Sequence, residues 1–269
     1  MSLRCMPAPL ALALAILCFG GGRGVATDIA AAPPNRFASV VIDAGHGGDD
    51  HGARGIGGLL EKDLVLDVSR RLARRLKARG LRVSMTRDRD QFVPLERRTM
   101  LANDAGADLF LSIHANSARS TKPRGVEAYF ASVEASDASA RELAERENSA
   151  FGAEANAAVA SDPLVAIIGD MIAADAMRDS SAFARLAQAE LNEIDRVPSR
   201  GVKQAPFVVL LGVQMPASLV EIGFLSNVSE EKALRSSDRR EAIVKALERA
   251  VIAYGERYDA LRGVERKAN

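Results

Sequence analysis

Sulfur chemistry is nearly missing from this chain: its two cysteines, Cys5 and Cys18, both precede Phe19. That opening stretch carries Arg4, an apolar run from Ala8 to Phe19 and small residues ending Gly24-Val25-Ala26, the three-part pattern of a secretory signal peptide cut near Ala26. The run is well short of the roughly 20 residues that span a bilayer, and Ile16-Leu17 are too large for a lipidation signal at Cys18. Residues 1–26 are therefore expected to be removed. What remains has no thiol, so disulfides and thiolate metal sites are excluded and any metal must be held by His, Asp or Glu. A charge excess is missing too. Arg4 and Arg23 are the only charged residues of the leader, which leaves 34 basic against 35 acidic residues and no general attraction for nucleic acid. Repeats are absent; the linker is expected at 27–36, the domain at 37–260 and a tail at 261–269.

Apolar, β-branched runs are present at Ser39 to Asp43, Leu81 to Thr86, Asp108 to Ile113, Val126 to Ala131, Phe207 to Leu211 and Ser218 to Ile222. Helical periodicity separates them. Val65, Val68, Leu72 and Leu76 share one face and stop at Gly80; Leu95, Thr99 and Ala102 form a second stripe, and Ile243 to Tyr258 a third. Strands joined by helical crossovers predict one α/β domain with a mostly parallel twisted sheet flanked by helices.

In such a sheet ligands gather at the carboxyl ends of the strands. Three stretches end there: Gly45-His46-Gly47-Gly48, Ser112-Ile113-His114-Ala115-Asn116 and Val220-Glu221-Ile222-Gly223. Glu61 stands where the first helix begins. A phosphate cradle is excluded for the glycine-rich turn, because no G-x-G-x-x-G follows it and no Lys-Ser/Thr pair closes it. A catalytic zinc needs three nitrogen or oxygen ligands and an open position for water, together with a carboxylate off the metal to move the proton. His46, Glu61 and His114 supply the ligands and Glu221 the base. Of the three histidines, His51 is left as an exposed loop residue.

The segments "VVIDAGHGG", "GLLEKDLVLDVSRRL", "MTRDRDQFVPLERRTMLANDAGADLFLSIHAN", "GVEAYFAS" and "SLVEIGFLSN" resemble the zinc-dependent N-acetylmuramoyl-L-alanine amidases that cleave peptidoglycan at cell division. The resemblance runs from Ser39 to Tyr258 and implies a six-stranded sheet, zinc on His46, Glu61 and His114, and catalysis by Glu221. It implies hydrolysis of the amide between the lactyl group of N-acetylmuramic acid and L-alanine, for septal wall splitting in the periplasm. No separate targeting domain or wall-binding repeat is recognisable, and no membrane anchor is expected after cleavage. Asn116 is a candidate donor to the substrate. Arg87, Asp90, Arg97 and Asn103 also match the motifs and read as scaffold, through a buried Arg–carboxylate pair at a helix start.

Two other functions fit parts of the pattern. A zinc carboxypeptidase on stem peptides would want a cationic pocket for a terminal carboxylate; a non-catalytic peptidoglycan-binding regulator would have lost a ligand or the base, and all four are present. Residues 132–203 exceed a simple connection and read as a helical insertion, with one helix over Ala140 to Asn156 and another opening at Asp162-Pro163. In the second, Leu164, Ile167, Ile168, Met171 and Ile172 make an apolar stripe, which ordinary packing on the parent domain would bury. The resemblance to division amidases with an insertion here implies an autoinhibitory arm. Glu147, with Glu145 next, would mask the zinc until an activator protein of the division machinery displaces the arm.

Overall fold

The run Ser-Val-Val-Ile-Asp-Ala is apolar on both sides of its pleat for most of its length, as a strand covered on two faces must be. In the computed structural model, which describes residues 36–149, 174–195 and 199–264, it forms β1 (Ser39–Ala44), buried throughout. The chain continues through α1 (Glu61–Ala78), β2 (Arg82–Met85), α2 (Leu95–Ala105), β3 (Leu109–Asn116), β4 (Glu127–Ala131) and α3 (Ala138–Asn148). It ends with α4 (Ala174–Asp195), β5 (Val202–Ala205), α5 (Val208–Leu211), β6 (Ala217–Phe224), α6 (Val228–Arg235) and α7 (Ser237–Leu261). The six strands make one sheet in the order β2-β1-β3-β6-β4-β5, within a compact unit spanning Pro33–Asn269. Every neighbouring pair is parallel except β4 and β6.

The two faces have separate cores. On one, α1, α4 and α7 bury Leu72, Phe183, Leu247 and Tyr254 against Val40, Ile42 and Leu111; on the other, α2, α3 and α5 cover Val41, Phe110 and Leu219. Gly80 ends α1 at φ 83°, a left-handed position that glycine adopts without strain. Among the described residues no helix is long and apolar enough to cross a membrane.

Two expectations need correction. The apolar run Phe207 to Leu211 is not a strand: Val208–Leu211 is the short helix α5, and the fifth strand is Val202–Ala205. A four-residue apolar run has no period that separates a buried strand from a buried helical turn. Asn148, the last residue of α3, settles it by accepting from the Val208 N–H at 3.0 Å, so the turn is capped from outside its own segment. The true strand, Val-Lys-Gln-Ala, lies at the sheet edge and is defined by pairing with β4. Second, the buried arginine of the helix start is Arg98, whereas Arg97 is exposed. Within the insertion, α3 covers the first part of the expected Ala140–Asn156 helix. Its remainder, Asp162-Pro163 and the stripe Leu164 to Ile172 lie outside the described residues, as do the leader and residues 265–269. The α4 part of the insertion is core, since Phe183, Ala184, Ala187 and Leu191 are all buried.

Arg98 donates to Asp43 Oδ1 at 2.8 Å and to the carbonyls of Val93, Ala44 and His46, tying α2 to the end of β1. Thr86 and Ser112 hydroxyls complete the Asp43 carboxylate. Burial pushes that carboxyl up, but the Arg98 guanidinium and the Thr86 hydroxyl outweigh it and hold it below the ordinary value. Removing one partner strands the other charge, at a cost of about 3–5 kcal/mol. Asp43→Asn should lose stability of that order in urea unfolding at pH 7. Because the folded pKa is depressed, the Asp43 contribution is complete above the unfolded value and is lost as pH falls through the folded one, so the gap between wild type and variant should narrow below about pH 4.

Candidate metal centre

Glycine makes the space in which the two histidines meet. A Cβ on Gly45 would stand 2.4 Å from the His114 ring, and one on Gly52 would stand 2.5 Å from the His46 ring and 2.6 Å from Glu61. His46 itself is left-handed, at φ 57°, a conformation that costs of order 1 kcal/mol or more outside glycine. It is held there by Arg98, which donates to its carbonyl at 2.7 Å, and by Asp50 Oδ2, 2.9 Å from its Nδ1. His114 comes from β3 and Glu61 from the first residue of α1. The Glu61 carboxylate accepts from the N–H groups of Ala53 at 2.7 Å and Ala115 at 2.9 Å, so both of its oxygens are fixed.

Glu147 of α3 joins them. Its Oε2 lies 3.3 Å from His46 Nε2 and 3.0 Å from His114 Nδ1, and Glu61 Oε1 lies 3.1 Å from each of the same nitrogens. The four donor atoms fall within 4.8 Å of one another. The four His–Glu separations of 3.0–3.3 Å are those of donor atoms close enough to share one metal ion. His46 Nε2 and Glu147 Oε2 are buried and, among the described residues, have no hydrogen-bond partner. Burial disfavours charge on either imidazole, yet the carboxylates prevail. Glu147 and Glu61 raise His114 to about 10, and Glu61, Asp50 and Glu147 raise His46 well above the ordinary imidazole value. Burial likewise opposes ionisation of Glu61 and Glu147, and the imidazoles reverse it, holding both carboxyls below the ordinary value. A cluster that draws positive charge this strongly fits a divalent cation.

Glu221 stands beside the cluster without joining it. On β6 it pairs in register with His114 of β3 on one side and Glu127 of β4 on the other. It is fully buried, and neither carboxylate oxygen has a hydrogen-bond partner among the described residues. Burial first, then the negative charges of Glu147, Glu61 and Glu127, push its carboxyl well above the ordinary value. Beyond Glu221 the β3–β6 register shifts, with Gly223 at φ 151°, a bulge of the kind that re-aims strands beside active sites.

The structure thus brings His46, Glu61, His114, Glu221 and Glu147 together. Glu145 stays outside the cluster, on the wall of an adjoining cleft of about 770 Å³ shared with Arg119, Glu142 and Arg146. Asn116 is buried under α3, and His51 is exposed. Sequence reasoning missed Asp50, Arg146 and the Glu127 network. Only the four-residue spacing from His46 to Asp50 carried a signal, and Asp49 competed with it.

Residues 40–253 match the model of the N-acetylmuramoyl-L-alanine amidase family. The chain is 34% identical to the N-acetylmuramoyl-L-alanine amidase AmiA of Escherichia coli over 230 residues, 85% of this chain and 80% of that one. To AmiC of Neisseria meningitidis it is 34% identical over 80% of this chain and 52% of the relative. Among solved structures it resembles the amidase AmiC2 of Nostoc punctiforme, with a TM-score of 0.62 and 30% identity over 81% of this chain and 97% of that one.

Purified protein should carry one divalent cation per chain by elemental analysis, and His114→Ala should lose most of it. Unchanged stoichiometry in that variant would remove His114 from the site.

Proposed function

The chain belongs to the N-acetylmuramoyl-L-alanine amidase family and is a peptidoglycan amide hydrolase; from that premise we propose a zinc-dependent, periplasmic enzyme of septal wall splitting that its own helical insertion holds inactive. The reading rests on one observation: two imidazole nitrogens and two carboxylate oxygens converge within 4.8 Å beside the unpartnered carboxyl of Glu221. His46, Glu61 and His114 would hold the zinc, which when bound supplies Lewis-acid polarisation of the scissile carbonyl and a water of lowered pKa. Asp50 orients the His46 ring by holding Nδ1, which leaves Nε2 to face the cluster. Glu221 takes the proton of the attacking water and delivers it to the departing nitrogen of L-alanine, so that the C–N bond breaks to a lactyl carboxylate and a free amine.

Glu147 accounts for the inhibition. Its oxygen stands where the substrate carbonyl or water would have to enter, and its helix forms a wall of the cleft. An activator protein of the division machinery would displace the insertion, including residues outside the described set. Only a few kcal/mol between the two arrangements are needed. The division role rests on the resemblance of the motifs and insertion to division amidases. Export rests on the leader pattern of residues 1–26, followed by a linker at 27–36, the catalytic domain at 37–260 and a tail at 261–269.

Mass spectrometry of muropeptides tests the chemistry. Digested sacculi should release stem peptides beginning with L-alanine; loss of a terminal D-alanine instead would mark a carboxypeptidase. Glu221→Gln should keep its metal and fold while slowing release by roughly 10²- to 10⁴-fold. Glu147→Ala should raise the activator-free rate about tenfold or more if the closed arrangement dominates by over ~1.4 kcal/mol. A folded, metal-loaded Glu147→Ala variant no faster than wild type would show that α3 does not inhibit.

A further inference from the structure

Asn116 ends β3 two residues beyond His114, on the same face of the sheet. Its Nδ2 donates to Glu127 Oε2 at 2.8 Å, and its Oδ1 accepts from Arg146 of α3 at 3.0 Å. This orientation is compelled from both sides. Glu127 is buried and surrounded by donors: Tyr129 Oη at 3.0 Å, Arg200 Nε at 2.8 Å and Lys203 Nζ at 3.1 Å. Burial pushes its carboxyl up, but Arg200 and Lys203 bring it below the ordinary value, so it is an anion that can only accept. Arg146 can only donate. The amide of Asn116 must therefore turn its nitrogen inward and its oxygen toward α3. The amide thus presents its oxygen, not its nitrogen, on the side of α3.

We propose that Asn116 Oδ1, aimed by Glu127, is the acceptor for a backbone N–H of the stem peptide, and that Arg146 occupies that acceptor while α3 covers the cleft. The inference rests on the amidase reading above. Two residues of strand place Asn116 about 6.6 Å beyond His114, within reach of the chain next to a bond held at the cluster. The donor in this proposal is the amide that follows L-alanine, the first peptide N–H beyond the scissile bond. Glu127 is a positioning residue: it touches no substrate and acts through Asn116. The same strand that supplies a metal ligand thus supplies a ruler for the stem, and α3 blocks both, with Glu147 on the cluster and Arg146 on the acceptor.

The test pairs enzyme and substrate changes. The zinc-loaded full chain, as wild type and in the Glu147→Ala background that opens the cleft, is assayed on a soluble disaccharide-peptide and on its analogue with an ester in place of the amide after L-alanine. Wild type should lose roughly three- to tenfold in kcat/KM on the ester, mostly through KM, since the contact is made before and during reaction. Asn116→Ala should show a similar loss on the amide substrate and no further loss on the ester. Glu127→Gln, which lets the Asn116 amide turn over, should also shrink the ester penalty, and it serves if Asn116→Ala does not fold. An ester penalty that is absent in wild type, or undiminished in whichever variant folds, overturns the proposal. If neither wild type nor Glu147→Ala, which lifts the proposed inhibition, releases stem peptide from the amide substrate, the amidase reading itself has failed.

Discussion

Buried negative charge is the constraint around which this site is organised. Asp43, Glu61, Glu127, Glu147 and Glu221 all crowd one end of the sheet, where each unpaired charge would cost several kcal/mol. Each is compensated differently. Asp43 has Arg98; Glu127 has Arg200 and Lys203; Glu61 and Glu147 share two imidazoles. Glu221 alone has no cation or donor on its oxygens among the described residues, and the neighbouring charges drive it toward its protonated form. The paired acids build the frame, the two imidazole-paired acids belong to the cluster that could hold a metal ion, and Glu221 stands beside them unpaired.

The frame explains why the site survives burial. Arg98 reaches both the Asp43 carboxylate and the His46 carbonyl, so the left-handed turn at His46 is anchored to the same pair that secures α2. Arg87 spans the carbonyls of Ala44, Gly45 and Lys62 and joins that turn to α1, whose first residue is Glu61. Even α3, the element read as a removable cover, is woven into the fold at its far end, where Asn148 bonds both Pro206 and Val208.

Much of this was legible before any coordinates. The two-sided apolar runs of β1, β3 and β6 and the helical stripes of α1 and α7 are long enough to overcome local ambiguity, and His46, His114, Glu61 and Glu221 stand at element ends where an open sheet gathers chemistry. Short elements were not legible. Val-Lys-Gln-Ala becomes a strand only because β4 offers it hydrogen bonds, and Val-Val-Leu-Leu becomes a helical turn only because Asn148 caps it. Arg97 and Arg98 are adjacent and chemically identical, so only the direction of the helix surface decides which is buried.

The sequence by itself determined the available donor chemistry and the layer architecture: oxygen and imidazole groups, because no cysteine follows Cys18, and a covered, mostly parallel sheet, because its strands are apolar on both sides. Tertiary structure alone decided the company each group keeps. That Glu127 lies opposite Glu221 and that Asn116 turns its oxygen toward α3 are consequences of strand order and register, while the choice of Asp50 over Asp49 as the partner of His46 is made by the local turn that bonds Gly47 to Asp50. The physical reason is that periodicity in a sequence encodes which face a residue occupies, while its neighbours on that face come from distant strands whose pairing is a property of the whole sheet.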